Sequence, residues 1–417
     1  MRLQHHPKVA ERNARPMIMS LMESAYRLHP KIRFCGDPPD AFMDLSENLL
    51  LYTLAILRDE PVEPVKAPEE AWSKFLVVLS PHGIIPLLYW KLLRLPEAVR
   101  PPQATFERMH HAFMRHGAKA LRETRQIRNI VTAFSKEGVR ILFLKGPALA
   151  MTVYPDPATR PGSDLDVLVH PEDMAHARRI FQRIGYVSRI EKFGTDIEAL
   201  YHHEEFSLKE YARYSSPVEL HWKLHHISAL HQETTIEELF ARAVTVNTPE
   251  FSFEALHPVD ALIHRALNNA FIHDHDLRLT WMYDILLIAR SLGEPEEWLL
   301  LQKECVRWRA RWAVELALVM AQSWYNLHIP DGFDNVAAWA GPAQEERQAW
   351  SGIVNRRSNL QQLIGTRIPR GASSREKLWL IFRLLFPDRV LVSGTQDRIR
   401  IKAYVDRWIR WINELNS

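Results

Sequence analysis

Gly162-Ser163-Asp164-Leu165-Asp166-Val167-Leu168-Val169 is the stretch on which the reading of this chain turns. Side chains of a strand alternate between faces, so Asp164 and Asp166 share one face while Leu165 and Val167 point into a core. Acids placed side by side repel, and a divalent cation with hard oxygen ligands relieves the repulsion. A solvated edge strand is the plain alternative, and the flanking sequence weighs against it.

Upstream, Arg140-Ile141-Leu142-Phe143-Leu144 reads as a short buried strand that Lys145-Gly146-Pro147 breaks before a helical Ala148 to Tyr154. A glycine turn opening a helix offers backbone N–H groups to phosphate, and the adjacent lysine adds a point charge. Arg160 supplies a planar fork for the same purpose. Downstream, Pro217-Val218-Glu219-Leu220-His221-Trp222 is a second alternating strand with one further carboxylate, Glu219. Acids on neighbouring strands beside a phosphate cradle can hold two Mg²⁺ ions and a nucleoside triphosphate for in-line attack. Glu204, Glu205 and Asp196 are the other candidates for the third carboxylate. Ser163 either donates to a phosphate oxygen or caps the strand entry. His221 shares a side with Glu219 and either lines the site or is an ordinary half-buried histidine.

Leu144-Lys145-Gly146, Arg160, Asp164 to Val169, Gly185-Tyr186 and Glu219-Leu220-His221-Trp222 together resemble the uncharacterised bacterial nucleotidyltransferase family of the DNA polymerase β superfold, strongly so from Gly138 to Trp222. That resemblance implies a minimal nucleotidyltransferase core in which Asp164 and Asp166 bind metal, Glu219 is the third carboxylate, and Mg²⁺, or Mn²⁺ in its stead, is the cofactor. Lys145, Gly146, Arg160 and Ser163 are the expected phosphate-binding residues. The superfamily usually carries Gly-Ser or Gly-Gly a short helix before its paired acids. Here Gly146 is followed by Pro147 and a second pair, Gly162-Ser163, abuts Asp164, so both turns stand as candidates for the phosphate contact.

The 417 residues, 47% of them hydrophobic, allow two or three domains with a substantial core. Lys+Arg number 53 against 50 for Asp+Glu, a net charge of +3, so no overall field demands a nucleic-acid partner and any such contact has to be a local patch. The expected partners are a nucleoside triphosphate and a hydroxyl acceptor (small molecule, sugar or protein), with long nucleic acid less favoured. Cys35 and Cys305 are too few for a disulfide framework, residues 1–30 lack a signal-peptide core, and no apolar run reaches the ~20 residues of a membrane span. These features point to the cytoplasm.

The expected fold is α+β and mostly helical: an N-terminal helical region over 1–102, a small mixed-sheet nucleotidyltransferase core over 103–232, and a C-terminal helical region over 233–417. Apolar spacing predicts a long helix from Gln103 to Lys136 leading into the core. It predicts helices again at 258–272, 277–291, 296–327, 375–386 and 397–415, the last carrying Trp408 and Trp411 among cations. His273-Asp274-His275-Asp276, with His264 and Asp284, offers a rival reading as an HD-type metal phosphohydrolase. A non-catalytic nucleotide-binding or regulatory module is the other alternative.

Overall fold

The structure is a computed structural model that describes residues 33–34, 47–188, 202–209, 215–224, 234–271, 276–339 and 346. Asp196, the segment 273–275, Cys35 and the helices expected at 375–386 and 397–415 lie outside the described residues. The fold is mixed α+β and mostly helical. Its centre is a seven-stranded mixed sheet.

In chain order the strands are β1 (Leu142–Phe143), β2 (Leu165–Leu168), β3 (Tyr186–Ser188), β4 (His203–Leu208), β5 (Val218–His221), β6 (Val244–Asn247) and β7 (Ser252–Ala255). They lie in the order β3-β4-β5-β2-β1-β7-β6. The central pair β2 and β5 is parallel, as is β1 with β7, and the remaining neighbours are antiparallel. The hairpin β6–β7 was not foreseen from the sequence, which read as helical beyond Ile236. Its strands, like β2 and β5, are four residues each, but they lack the acid-bearing motifs that set those two apart from the helices around them.

The long helix α4 (Gln103–Lys136) has the expected bounds. Before it come α1 (Glu47–Arg58), α2 (Glu69–Leu79) and α3 (Ile85–Leu92). After it come α5 (Pro147–Thr152), α6 (Met174–Arg183), α7 (Ile236–Arg242), α8 (Pro258–Phe271), α9 (Leu279–Ser291), α10 (Pro295–Arg307) and α11 (Arg311–Tyr325). The single helix expected over 296–327 is two, because the chain breaks at Arg309, whose φ is +51°.

The sheet has two different faces. On one, Leu165, Val167, Val218, Leu220 and Phe206 pack under Ile127, Ile130 and Phe134 of α4 and Ile180 and Phe181 of α6. On the other, Leu142 and Leu168 meet a second core in which the N-terminal helices α1–α3 and the C-terminal helices α8–α11 are joined. Period-two alternation puts Asp166, Glu219 and His221 on this second face, between the sheet and the helices.

Candidate active site

Register decides which side chains meet. β2 and β5 pair with Asp166 opposite Glu219 and Leu168 opposite His221. β4 then sets Glu205 opposite Glu219 and His203 opposite His221. Two turns feed these strands, and α4 holds both. Lys119 donates to the Gly162 carbonyl and pairs with Glu123 at 2.8 Å. Glu123 accepts from Ser216 Oγ at 2.5 Å, and Gln126 donates to the Ser216 carbonyl at 2.7 Å while accepting from its N–H at 3.1 Å. One buried helix face thereby fixes the entries to β2 and β5 and keeps their acids side by side.

Ligand atoms of Asp166, Glu219 and His221 all lie within 4.8 Å of one another. Lys145 Nζ is 3.0 Å from Asp166 Oδ1, and His221 Nε2 lies 3.2 Å from that same oxygen and 3.4 Å from Glu219 Oε2. Asp166 is 0% exposed, and its other oxygen, Oδ2, is buried with no hydrogen-bond partner. Leaving a buried carboxylate oxygen bare costs on the order of 1–3 kcal/mol or more. A hard cation with oxygen ligands is the natural complement, so the residues present fit a divalent metal.

The charges explain how such a cluster stays ionised. Burial alone would raise the Asp166 pKa, but Lys145 and His221 outweigh it and hold the carboxyl well below the usual carboxylate range. Burial, then the charges of Asp166 and Glu219, push Asp164 up to about 6 against the pull of Lys145, even though Ser163 Oγ donates to it at 3.1 Å. Lys145 is raised: burial opposes its charge, and Asp166, Asp164 and Glu219 together overcome burial. Burial and the neighbouring His221 push His203 down to about 4. His221 itself is raised, because hydrogen bonds to Asp166 and Glu219 exceed its burial penalty.

The two glycine turns prove to be neighbours. Gly146 has φ +63° and ψ −123°, and a Cβ there would sit 3.2 Å from the Asp164 carbonyl. A Cβ on Gly162 would meet the Pro147 ring at 3.7 Å. Lys145-Gly146-Pro147 and Gly162-Ser163 therefore form one wall beside Asp164, with Pro147 at the first turn of α5. Gly146→Ala is expected to cost about 1–3 kcal/mol through strain at positive φ and to move the Asp164 backbone. Urea denaturation reads the loss directly, and an unchanged midpoint would show that the turn tolerates a side chain.

Arg160 does not join this wall. Its Nε and Nη2 bond Asp284 Oδ1 and Oδ2, each at 2.8 Å, Tyr154 OH donates to the same Oδ1 at 2.8 Å, and Arg265 Nε stands 3.1 Å from Oδ2. Burial opposes ionisation of Asp284, and the two guanidiniums overcome it, holding the carboxyl below its ordinary value. The position of Arg160 one turn before the acids was readable. Its commitment to α9, 124 residues away, was not. The charge of Asp164 still reaches it, among the causes that raise the Arg160 pKa.

The rival cluster does not make a metal centre among the described residues. Both oxygens of Asp284 are taken by Arg160, His264 Nε2 lies 3.2 Å from Asn268 Nδ2, and Asp276 is described in its backbone alone. Glu204, a spare third carboxylate in the sequence, faces away and bonds Arg178 at 2.7 Å. Glu205, another spare carboxylate in the sequence, lies opposite Glu219, and His203, opposite His221, is the site neighbour the sequence left without a role; only the pairing register identifies it.

The model of a family described as uncharacterised nucleotidyltransferase matches residues 68–326, which contain all seven strands and the helices α2–α11. No curated protein matches the chain.

Proposed function

We propose, for a chain that belongs to the uncharacterised nucleotidyltransferase family, a metal-dependent transfer of a nucleoside monophosphate group from a nucleoside triphosphate to a hydroxyl acceptor, with release of pyrophosphate. The observation that carries it is the side-by-side placement of Asp166 and Glu219 with a bare, buried Asp166 oxygen, next to the Lys145-Gly146 turn. Asp164, Asp166 and Glu219 are the proposed ligands of Mg²⁺ or Mn²⁺, with His221 at their side. The ions, when bound, neutralise phosphate charge and activate the acceptor oxygen.

The chain's own residues set the geometry. The acceptor oxygen bonds to the α-phosphorus, the α–β bridging P–O bond breaks, and pyrophosphate leaves with the electron pair. Glu219, half-buried at the edge of the cluster, is the proposed recipient of the acceptor proton. Lys145 and the N–H groups of the Gly146 and Gly162 turns face the phosphates, Ser163 lies beside them, and Arg160 braces the loop that ends at Asp164. The catalytic unit is then the core over 103–232, completed by the β6–β7 hairpin, in the manner of the polymerase β superfold.

Incubation with Mg²⁺, a cell extract and a labelled triphosphate tests this. Label at the α-phosphate is expected to appear on an acceptor, and label at the γ-phosphate to leave as pyrophosphate. Transfer of the γ-label instead would make the protein a kinase and end the proposal.

A non-catalytic module would bind triphosphate and release nothing. Location in the cytoplasm is part of the same proposal; no described helix is long and apolar enough to cross a membrane.

A further inference from the structure

Helix α4 holds seven Lys and Arg residues against two acids, in a chain whose totals are 53 and 50. The excess is not spread around the helix. Arg108, His111, Arg115, Ala118, Arg122, Arg125 and Asn129 follow one another at steps of three and four, which places them on a single face. All seven are exposed, and none is acidic. At 1.5 Å per residue this stripe runs about 32 Å.

Two of the three cations off the stripe are paired, whereas among the described residues the arginines on it are not. Lys119 pairs with Glu123 and Arg128 with Glu250. Arg108, Arg115, Arg122 and Arg125 make no ion pair among the described residues. Two hollows open along the stripe. One, of about 400 Å³, is lined by Arg108, His111, Arg115 and His116 together with the α2–α3 turn, and contains no acid. The other, of about 860 Å³, is lined by Arg122, Arg125, Asn129, Lys136 and Arg183; the one acid there, Glu137, is already bonded to Arg183 at 2.9 Å and to His176 at 3.2 Å.

An ordinary solvated face mixes charges of both signs, because like charges in a row repel and gain nothing by alignment. A row of unpaired arginines with grooves on its flank has the form of a polyanion track, and arginine's planar fork matches phosphate. We infer that the exposed face of α4 docks the phosphate backbone of a nucleic acid. Spacing favours this partner over an acidic peptide: Arg108, Arg115 and Arg122 recur every seven residues, about 10 Å apart, a regular row suited to a regular chain of charges. The same helix, through Lys119, holds the Gly162 turn that enters the active site. If the transferase reading is correct, the docked nucleic acid is the acceptor, and its chain has to pass from α4 around the sheet to bring its terminal hydroxyl to the acids on the other face.

Docking is measured apart from catalysis. A fluorescein-labelled RNA hairpin is titrated with the full chain in EDTA, across a series of salt concentrations. Four phosphate contacts give a slope of log K against log salt of about −3. In R108Q/R115Q/R122Q/R125Q the slope is expected to flatten by about 0.7 per arginine, to near zero, and affinity to fall on the order of 10²-fold at low salt. The matching lysine variant, which keeps the charges, should retain most of the binding. These exposed changes leave the melting temperature close to that of the wild type, which a melting curve verifies.

Equal RNA binding by the wild type and the glutamine variant overturns the inference. So does displacement of RNA by polyglutamate at equal charge concentration, which assigns the stripe to an acidic protein. D166N is expected to bind RNA like the wild type. RNA that binds the wild type and is never labelled from α-labelled triphosphate, while other acceptors are, removes the acceptor role alone.

Discussion

Asp166→Asn is expected to lower Mg²⁺-dependent nucleotidyl transfer on the order of 10³-fold, about 4 kcal/mol of transition-state stabilisation. Asparagine keeps the shape of the side chain and one acceptor oxygen but removes the charge that a metal and Lys145 share. The fold should survive. Some stability is lost with the attraction of Lys145 and His221 to Asp166, but Asp164 and Glu219 remain as counter-charges to Lys145, so no buried cation is stranded. Steady-state transfer and a melting curve on the same preparation separate the two effects. Activity within tenfold of wild type in a folded variant would remove Asp166 from the chemistry.

Asp284→Asn should act in the opposite sense, with a large loss of stability. Asp284 is 0% exposed and is the carboxylate between the Arg160 and Arg265 side chains, which are 5% and 4% exposed. Removing one partner of a buried ionic cluster leaves uncompensated charge and typically costs about 3–5 kcal/mol. Two guanidiniums are stranded here. The Arg160 loop, which leads into Asp164, loses its anchor to α9, so transfer should weaken in proportion to the loosened fold. Urea unfolding measures the effect, and a loss below about 1 kcal/mol would mean that solvent reaches the cluster freely.

The sequence carried the centre of this molecule and lost its periphery for identifiable reasons. Asp164 to Val169 and Val218 to Trp222 announce themselves because alternation is a local property, and α4 does because its apolar stripe persists over 34 residues. Which strand lies beside which is not local. The pairing of Asp166 with Glu219, and the arrival of His203 opposite His221 and of Glu205 opposite Glu219, follow from a register that α4 imposes through Glu123 and Gln126. Arg160 shows the same limit from the other side. A cation just before two acids reads as a phosphate ligand until a distant Asp284 takes the Nε–Nη2 edge of its guanidinium. Net charge, finally, averages away the one place where cations are segregated: +3 over the chain conceals the row of arginines along α4.

Divalent-cation binding at the acids is open to direct measurement by Mn²⁺ electron paramagnetic resonance, with and without a non-hydrolysable triphosphate analogue. Expected is quenching of the free Mn²⁺ signal by the wild-type chain, tighter with the nucleotide analogue, and its loss in the folded D166N/E219Q variant. A free-ion signal that the wild type never diminishes, or one that the double variant diminishes equally, would contradict a metal site on Asp164, Asp166 and Glu219.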